Sequence, residues 1–284
     1  MERTTACPTC RAIRMRRYCS ECGEKRYSHH DLSIRHYLGE LLETITHLDF
    51  KVLRSTWALL RRPGGLSVDH FAGRRVRYVT PLRLFVLLSV VYFFSNSMFP
   101  YNAFTTPLAT QLHMNDFYPR FAATQVQRVM QHKGMDYPTF EQKYNAKTEI
   151  LSKTMVFTLI PVFALVFWML MARKRRYFSE HLIVATHFWS FALLVIGVFI
   201  PLLMALIKWL GSLLGAPPEV LGADIVPTTI LQLSFAAYMF VMLRRVYGLT
   251  YWYSGLVAGV IAWSFFFMVW LFRFLLFMVT LRTL

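Results

Sequence analysis

The first residues able to do chemistry are four cysteines, Cys7, Cys10, Cys19 and Cys22, spaced C-x2-C-x8-C-x2-C. Each C-x2-C turn presents two thiolates to one ion, and zinc takes four such ligands in a tetrahedron. The intervening segment only has to turn the chain back, and Gly23 suits a tight turn after the last ligand. A closed four-cysteine shell leaves no position for substrate, so the expected zinc is structural. A segment of roughly 22 residues cannot bury a useful core, and the metal would supply its folding free energy. A redox dithiol pair is the competing reading.

A second group lies in "SEHLIVATHFWSF", residues 179 to 191. It places Glu180, His181 and His187 at or inside the edge of an apolar segment, where ionisable groups are often functional. At 3.6 residues per turn, His181 and His187 point about 120° apart. Glu180 and His187 share a stripe but stand two turns apart, too far to ligate one ion. No His, Glu or Asp occupies the i+3 or i+4 position of a helical metal pair, so a metal or haem here needs a second helix. Structural hydrogen bonding is the plainer expectation. Arg83 sits about one turn inside another apolar segment and is expected to snorkel back to the interface. Arg273 and Lys208 read as anchors for the outer interface. Gly255 and Gly259 form a G-x3-G pair that could bring two helices close.

Composition says what must hold these residues. The chain has 284 residues, 56% hydrophobic and 16% charged, with a mean hydropathy of +0.40. A soluble domain of this size carries about 25% charged residues, so much apolar surface must face something other than a protein core. The net charge is +16, and 15 of the 31 basic residues lie in the first 78 positions. Apolar runs long enough to cross a bilayer fall near 79–99, 154–171, 182–210, 226–243 and 254–281. The link after the second run carries Arg173, Lys174, Arg175 and Arg176, and the link after the fourth begins Arg244-Arg245. The link between the third and fourth has no Lys or Arg. Positive-inside logic then puts the N-terminus in the cytoplasm and the C-terminus outside. The expected fold is an all-α polytopic membrane protein of about five transmembrane helices, with a small N-terminal zinc ribbon and an amphipathic cytoplasmic helix.

The ribbon is expected over 1–28, a basic juxtamembrane segment over 29–78, and the membrane domain over 79–284. In 33–62, Ile34, Leu38, Leu41, Ile45, Leu48 and Val52 keep one apolar stripe, and Pro63-Gly64 stops the helix. Such a helix either lies among lipid headgroups or packs on the protein's own cytoplasmic face. The insert 100–153 reads as two amphipathic helices separated at Gly134, an extracytoplasmic cap or a plain linker. Arg11, Arg14, Arg16 and Arg17 invite a nucleic-acid reading, but anionic headgroups fit a tethered ribbon better. There is no phosphate-binding glycine loop, no G-x-S-x-G and no H-E-x-x-H. Nothing in the sequence asks for an enzyme.

The cysteine knuckle, the helix ending in "RRPGG", then "GRRVRYVTPLRLF", "LSKTMVFTLIPVFALVFWML" and "RKRRYFSEHLIVATHF" follow one another in order. Together they resemble the bacterial membrane proteins catalogued as domain of unknown function 3667. In that pattern a histidine often follows two residues after the one matching His187; here Trp189 stands there. The resemblance implies an integral protein of the bacterial cytoplasmic membrane with a zinc ribbon, and no established activity. The first expectation is therefore a non-enzymatic docking, scaffolding or regulatory protein. Its ribbon would engage a cytoplasmic protein at the lipid surface, as a monomer or a homo-oligomer. The second is a transporter, lipid-handling protein or membrane enzyme with its site at Arg83, Glu180, His181 and His187. A membrane-tethered nucleic-acid binder is third.

Overall fold

The computed structural model describes residues 5–6, 13–14, 21, 50–74, 77–98, 104–113, 118–213 and 225–284. The chain divides into two units, Met1–Lys51 and Val52–Leu284. In the first, strands β1 (Thr5–Ala6) and β2 (Ile13–Arg14) pair antiparallel, with Thr5 opposite Arg14 and Ala6 opposite Ile13. Cys7, Cys10, Cys19 and Cys22 lie outside the described residues, as do residues 33–49 of the expected amphipathic helix.

The second unit is helical. Helix α1 covers residues 50–61, all but its first two in this unit, and ends at Pro63-Gly64, where Gly64 takes a left-handed φ of 73°. There follow α2 (Gly65–Phe71), α3 (Pro81–Met98), α4 (Leu108–His113), α5 (Pro119–Lys133) and α6 (Tyr137–Met155). One 3-10 turn, Val156–Thr158, joins α6 to α7 (Leu159–Leu170). Helix α8 (Phe178–Leu194) passes through a π turn, Val195–Phe199, into α9 (Ile200–Leu213), and α10 (Ile225–Tyr247) and α11 (Tyr251–Thr283) complete the chain.

Five helical runs are long and apolar enough to cross a membrane: Pro81–Met98, Tyr137–Leu170, Phe178–Leu213, Pro227–Tyr247 and Tyr251–Thr283. They correspond to the five apolar runs of the sequence, mostly with longer ends. The second differs most. Its helix begins at Tyr137, so the second amphipathic segment of the insert runs straight into the span. Pro161 has no N–H for the carbonyl of Phe157, and the chain answers with the single 3-10 turn instead of a break. The first amphipathic segment is α5, closed by Gly134 in a left-handed cap. Tyr118, Ala122, Val126, Phe140 and Tyr144 around α5 and α6 pack on Phe277 and Leu281 of α11.

Helices α3 and α8 run parallel, with Tyr92 beside Gly197 and with Thr80 and Thr186 lining one groove. A Cβ on Gly197 would lie 2.9 Å from the Tyr92 ring and 3.0 Å from its Cα, so only glycine allows this approach. Pro201 offers no N–H to the carbonyl four residues back, which is Gly197. Ser95 Oγ from α3 donates to that carbonyl instead. The π turn thus has a cause, and its free oxygen has a partner.

Helix α3 spans 18 residues, about 27 Å, close to the thickness of a hydrocarbon core. Counting back from the Tyr92–Gly197 contact at one helical rise per residue puts the start of α3 level with Thr186, so the first two turns of α8 project past it. Helix α2 fills the space beside them. The central core residue is Trp189, fully buried among Phe104, Phe163, Phe188 and Phe265.

Candidate functional site

The end of the bundle that carries α2 also carries the links Met171–Tyr177 and Gly248–Thr250, with the arginines of the first and those that end α10. Seven residues cannot hold a helix on propensity alone, so α2 exists because it is wedged. Its Gly64 turn meets α10: a Cβ there would lie 2.8 Å from Val246 Cγ2 and 3.2 Å from Met242 Cα. Arg245 donates to the Pro63 carbonyl at 2.8 Å. On the other side, Ser55 of α1 accepts the Val79 N–H at 3.0 Å, tying the entry to α3 back to α1.

The wedge carries polar groups inward. Ser67 Oγ and His187 Nδ1 share a hydrogen bond of 2.8 Å, and both side chains are buried. Asp69 is buried as well; Arg74 pairs with it at 2.6 Å and Arg62 stands at 3.9 Å. A buried carboxylate is costly unless paired, and the two arginines satisfy that need from the exposed side. Leu66, His70, Arg74, Tyr78, Val79, Thr80 and His187 line a small chamber of mixed polarity with room for about one water. His70 and Thr80 also stand on the wall of a larger groove of about 450 Å³. The rest of that wall is largely apolar, from Pro81 and Leu82 of α3, Phe157, Ile160 and Pro161 before and in α7, and Leu182 and Ile183 of α8.

The four residues singled out as an intramembrane group therefore separate. His187 alone reaches this chamber. His181 stacks on Tyr247 and shares a 2.8 Å hydrogen bond with its hydroxyl. Glu180 accepts from Arg176 Nη1 at 3.0 Å and from the Tyr177 N–H at 3.0 Å, capping α8. Arg176 also donates to the Val246 carbonyl at 2.8 Å and lies over the rings of Phe71 and Tyr247, so one guanidinium joins α2, α8 and α10. Arg83 is exposed on the first turn of α3, with no hydrogen bond or ion pair among the described residues. Lys208 is exposed near the end of α9, whereas Arg273 is half-buried with Tyr92 and Tyr118 as electrostatic neighbours. Gly255 and Gly259 are exposed; a methyl added at either would meet nothing within 4 Å, and they mediate no close approach among the described residues.

Sequence reasoning missed Ser67, Asp69 and His70. The signal was present in "RRPGGLSVDHF", where three polar side chains follow a forced turn at a spacing that mixes them with Leu66, Val68 and Phe71. Among the described residues no three His, Cys, Asp or Glu side chains gather to hold a metal ion. Trp189, standing where the pattern often has histidine, turns its indole N–H to no partner among the described residues.

A bundle with five membrane-length helices, its basic end closed by a buried wedge, defines an integral membrane protein. Residues 49–93 match the model of the family described as Protein of unknown function (DUF3667), in agreement with the resemblance read from the motifs. The match takes in α1, α2 and most of α3. No curated protein and no solved structure matches the chain.

Proposed function

We propose that this protein binds a membrane amphiphile at its basic end, with an acyl chain in the groove between α3, α7 and α8 and an anionic headgroup beside His70 and Arg74. The observation that carries this reading is that His70 and Thr80 line both the apolar groove and the small chamber that Arg74 also lines. The level is right: the groove opens at the start of α3, where the hydrocarbon core meets the headgroups. The charge is right too, because Arg62, Arg74 and Arg77 outnumber Asp69 there, and each exposed cation adds roughly 1 kcal/mol toward anionic lipid. By positive-inside logic the basic end faces the cytoplasm of the bacterial cytoplasmic membrane.

A phosphatidic acid with a photoreactive acyl chain tests this in nanodiscs. Crosslinks should concentrate on Leu182, Ile183 and Phe157, and Ile183→Trp should remove them by filling the groove. Labelling spread evenly over the lipid-facing helices, and unchanged by Ile183→Trp, would sink the reading.

For the N-terminal unit, a structural zinc on Cys7, Cys10, Cys19 and Cys22 and a role in docking a cytoplasmic protein are our second proposal. The antiparallel pairing of β1, ending just before Cys7, with β2, starting three residues after Cys10, supports it. Elemental analysis should find one zinc per chain, lost on Cys7→Ser/Cys10→Ser. Metal retained in that variant would contradict the four-cysteine assignment.

A further inference from the structure

At the opposite end of the bundle, away from the wedge, α3 and α6 enclose a second cavity of about 390 Å³. Its chemistry is unlike the groove. Asn96 at the end of α3, Thr106 in the link to α4, and Asn145, Glu149 and Lys153 on α6 face it, with Phe93 as an apolar wall. Its polar groups are partly uncommitted. Asn145 Oδ1 accepts the Leu108 N–H at 3.0 Å, and its amide N–H groups have no partner among the described residues. The Asn96 amide has no partner among the described residues. Lys153 and Glu149 pair with each other at 3.0 Å on the rim.

We infer that this cavity binds a small, uncharged, polyhydroxylated ligand: a glycosyl group, either free or as a lipid headgroup. Amides donate and accept at once, as vicinal hydroxyls do, and one carboxylate adds a strong acceptor. Phe93 offers a surface for the C–H face of a sugar ring. A phosphate is disfavoured because Glu149 faces the cavity and already neutralises its single lysine. A metal is disfavoured because there is only one carboxylate and no histidine among the lining residues. The volume falls within the range of small-molecule sites. Asn96 lies near the end of the 18-residue span of α3, so the site is at the membrane boundary, open to either source of the glycosyl group.

The test uses the full chain in nanodiscs, since glycosidic detergents would compete. Methyl glycosides of glucose, galactose and N-acetylglucosamine are titrated by saturation-transfer NMR, beside a glucosyl diacylglycerol placed in the disc and phosphoethanolamine as a zwitterionic comparator. Saturable binding of a glycoside or of the glycolipid is expected. Asn96→Ala should weaken it about tenfold by removing two hydrogen bonds, and Ser97→Trp, at an exposed position on the wall, should abolish it. Glycolipid binding without free glycoside assigns the headgroup source; glycoside binding assigns the free sugar. Preference for phosphoethanolamine, binding unchanged in both variants, or no binding of any sugar by a chain with native melting would overturn the inference. The groove at the basic end is untouched by either variant, so the two proposals fail separately.

Discussion

Replacing Ser95 by alanine removes the side-chain donor that reaches the Gly197 carbonyl across the α3–α8 contact. Pro201 cannot replace it, having no N–H, so the oxygen would be left in an apolar interface between two spans. Leaving a buried acceptor unsatisfied costs about 1–3 kcal/mol in soluble proteins. Interhelical hydrogen bonds in membranes average about 0.6 kcal/mol, with a maximum near 1.7. The upper part of the membrane range applies here, because the Gly197 approach to Tyr92 leaves no room for water. A loss of about 1–1.5 kcal/mol is expected for Ser95→Ala in an SDS-unfolding titration. Pro201→Ala supplies the missing N–H and lets the helix satisfy its own carbonyl. In that background Ser95→Ala should cost no more than about 0.3 kcal/mol, giving a coupling of roughly 1 kcal/mol in the double-mutant cycle. Equal costs in both backgrounds would refute the link between the π turn, the proline and the serine.

Two further outcomes follow from the packing. Gly64→Ala puts a methyl 2.8 Å from Val246 Cγ2 on a backbone with φ of 73°; left-handed strain of about 1 kcal/mol plus overpacking of about 1–3 should loosen α1 and α2, read by SDS titration and by proteolysis in that segment. Gly255→Ala, which meets nothing, should be neutral or slightly stabilising, and similar losses at both glycines would contradict the docking of the Gly64 turn on α10. Tyr247→Phe removes the hydroxyl bonded to His181 and should cost about 1–2 kcal/mol. Glu180→Gln loses a half-exposed ion pair worth at most about 1 kcal/mol; the reverse order of losses would show that Arg176, not His181, holds α8 to α10.

The spans were legible because a bilayer demands long apolar runs, and such runs survive any uncertainty in packing. Their ends were not. Tyr137 begins the second span because the amphipathic α6 has no breaker between Pro138 in its first turn and Pro161, and hydropathy alone cannot see a polar helix continuing into an apolar one. The site was legible only in half. His187 stood out as an ionisable residue in an apolar run, but its partner Ser67 lies 120 positions earlier on a helix of seven residues, too short for any periodicity to announce. Glu180 and His181 drew notice for the same reason as His187, yet they serve the cap of α8 and the contact with α10. Arg83 stands exposed on the first turn of α3, apart from His187, because depth in an apolar run says nothing about which way a side chain faces.

The match over residues 49–93 coincides with the wedge and the span that follows it, and the wedge cannot satisfy itself. Ser67 needs His187, Gly64 needs the notch beside Met242 and Val246, and the Pro63 carbonyl takes its proton from Arg245. Each partner lies on α8 or α10, outside the matched segment. The dependence also runs the other way, since the first two turns of α8 extend past α3 and would carry His181 to lipid headgroups without α2 beside them, while His187 would lose Ser67. The matched residues are thus one half of a closure whose other half is the basic end of the bundle. The groove shares this origin: His70 comes from the wedge, Thr80 from its exit, and Leu182 and Ile183 from the turns it covers. A ligand held there would touch both halves at once, so its binding would stabilise the seating of the wedge by linkage.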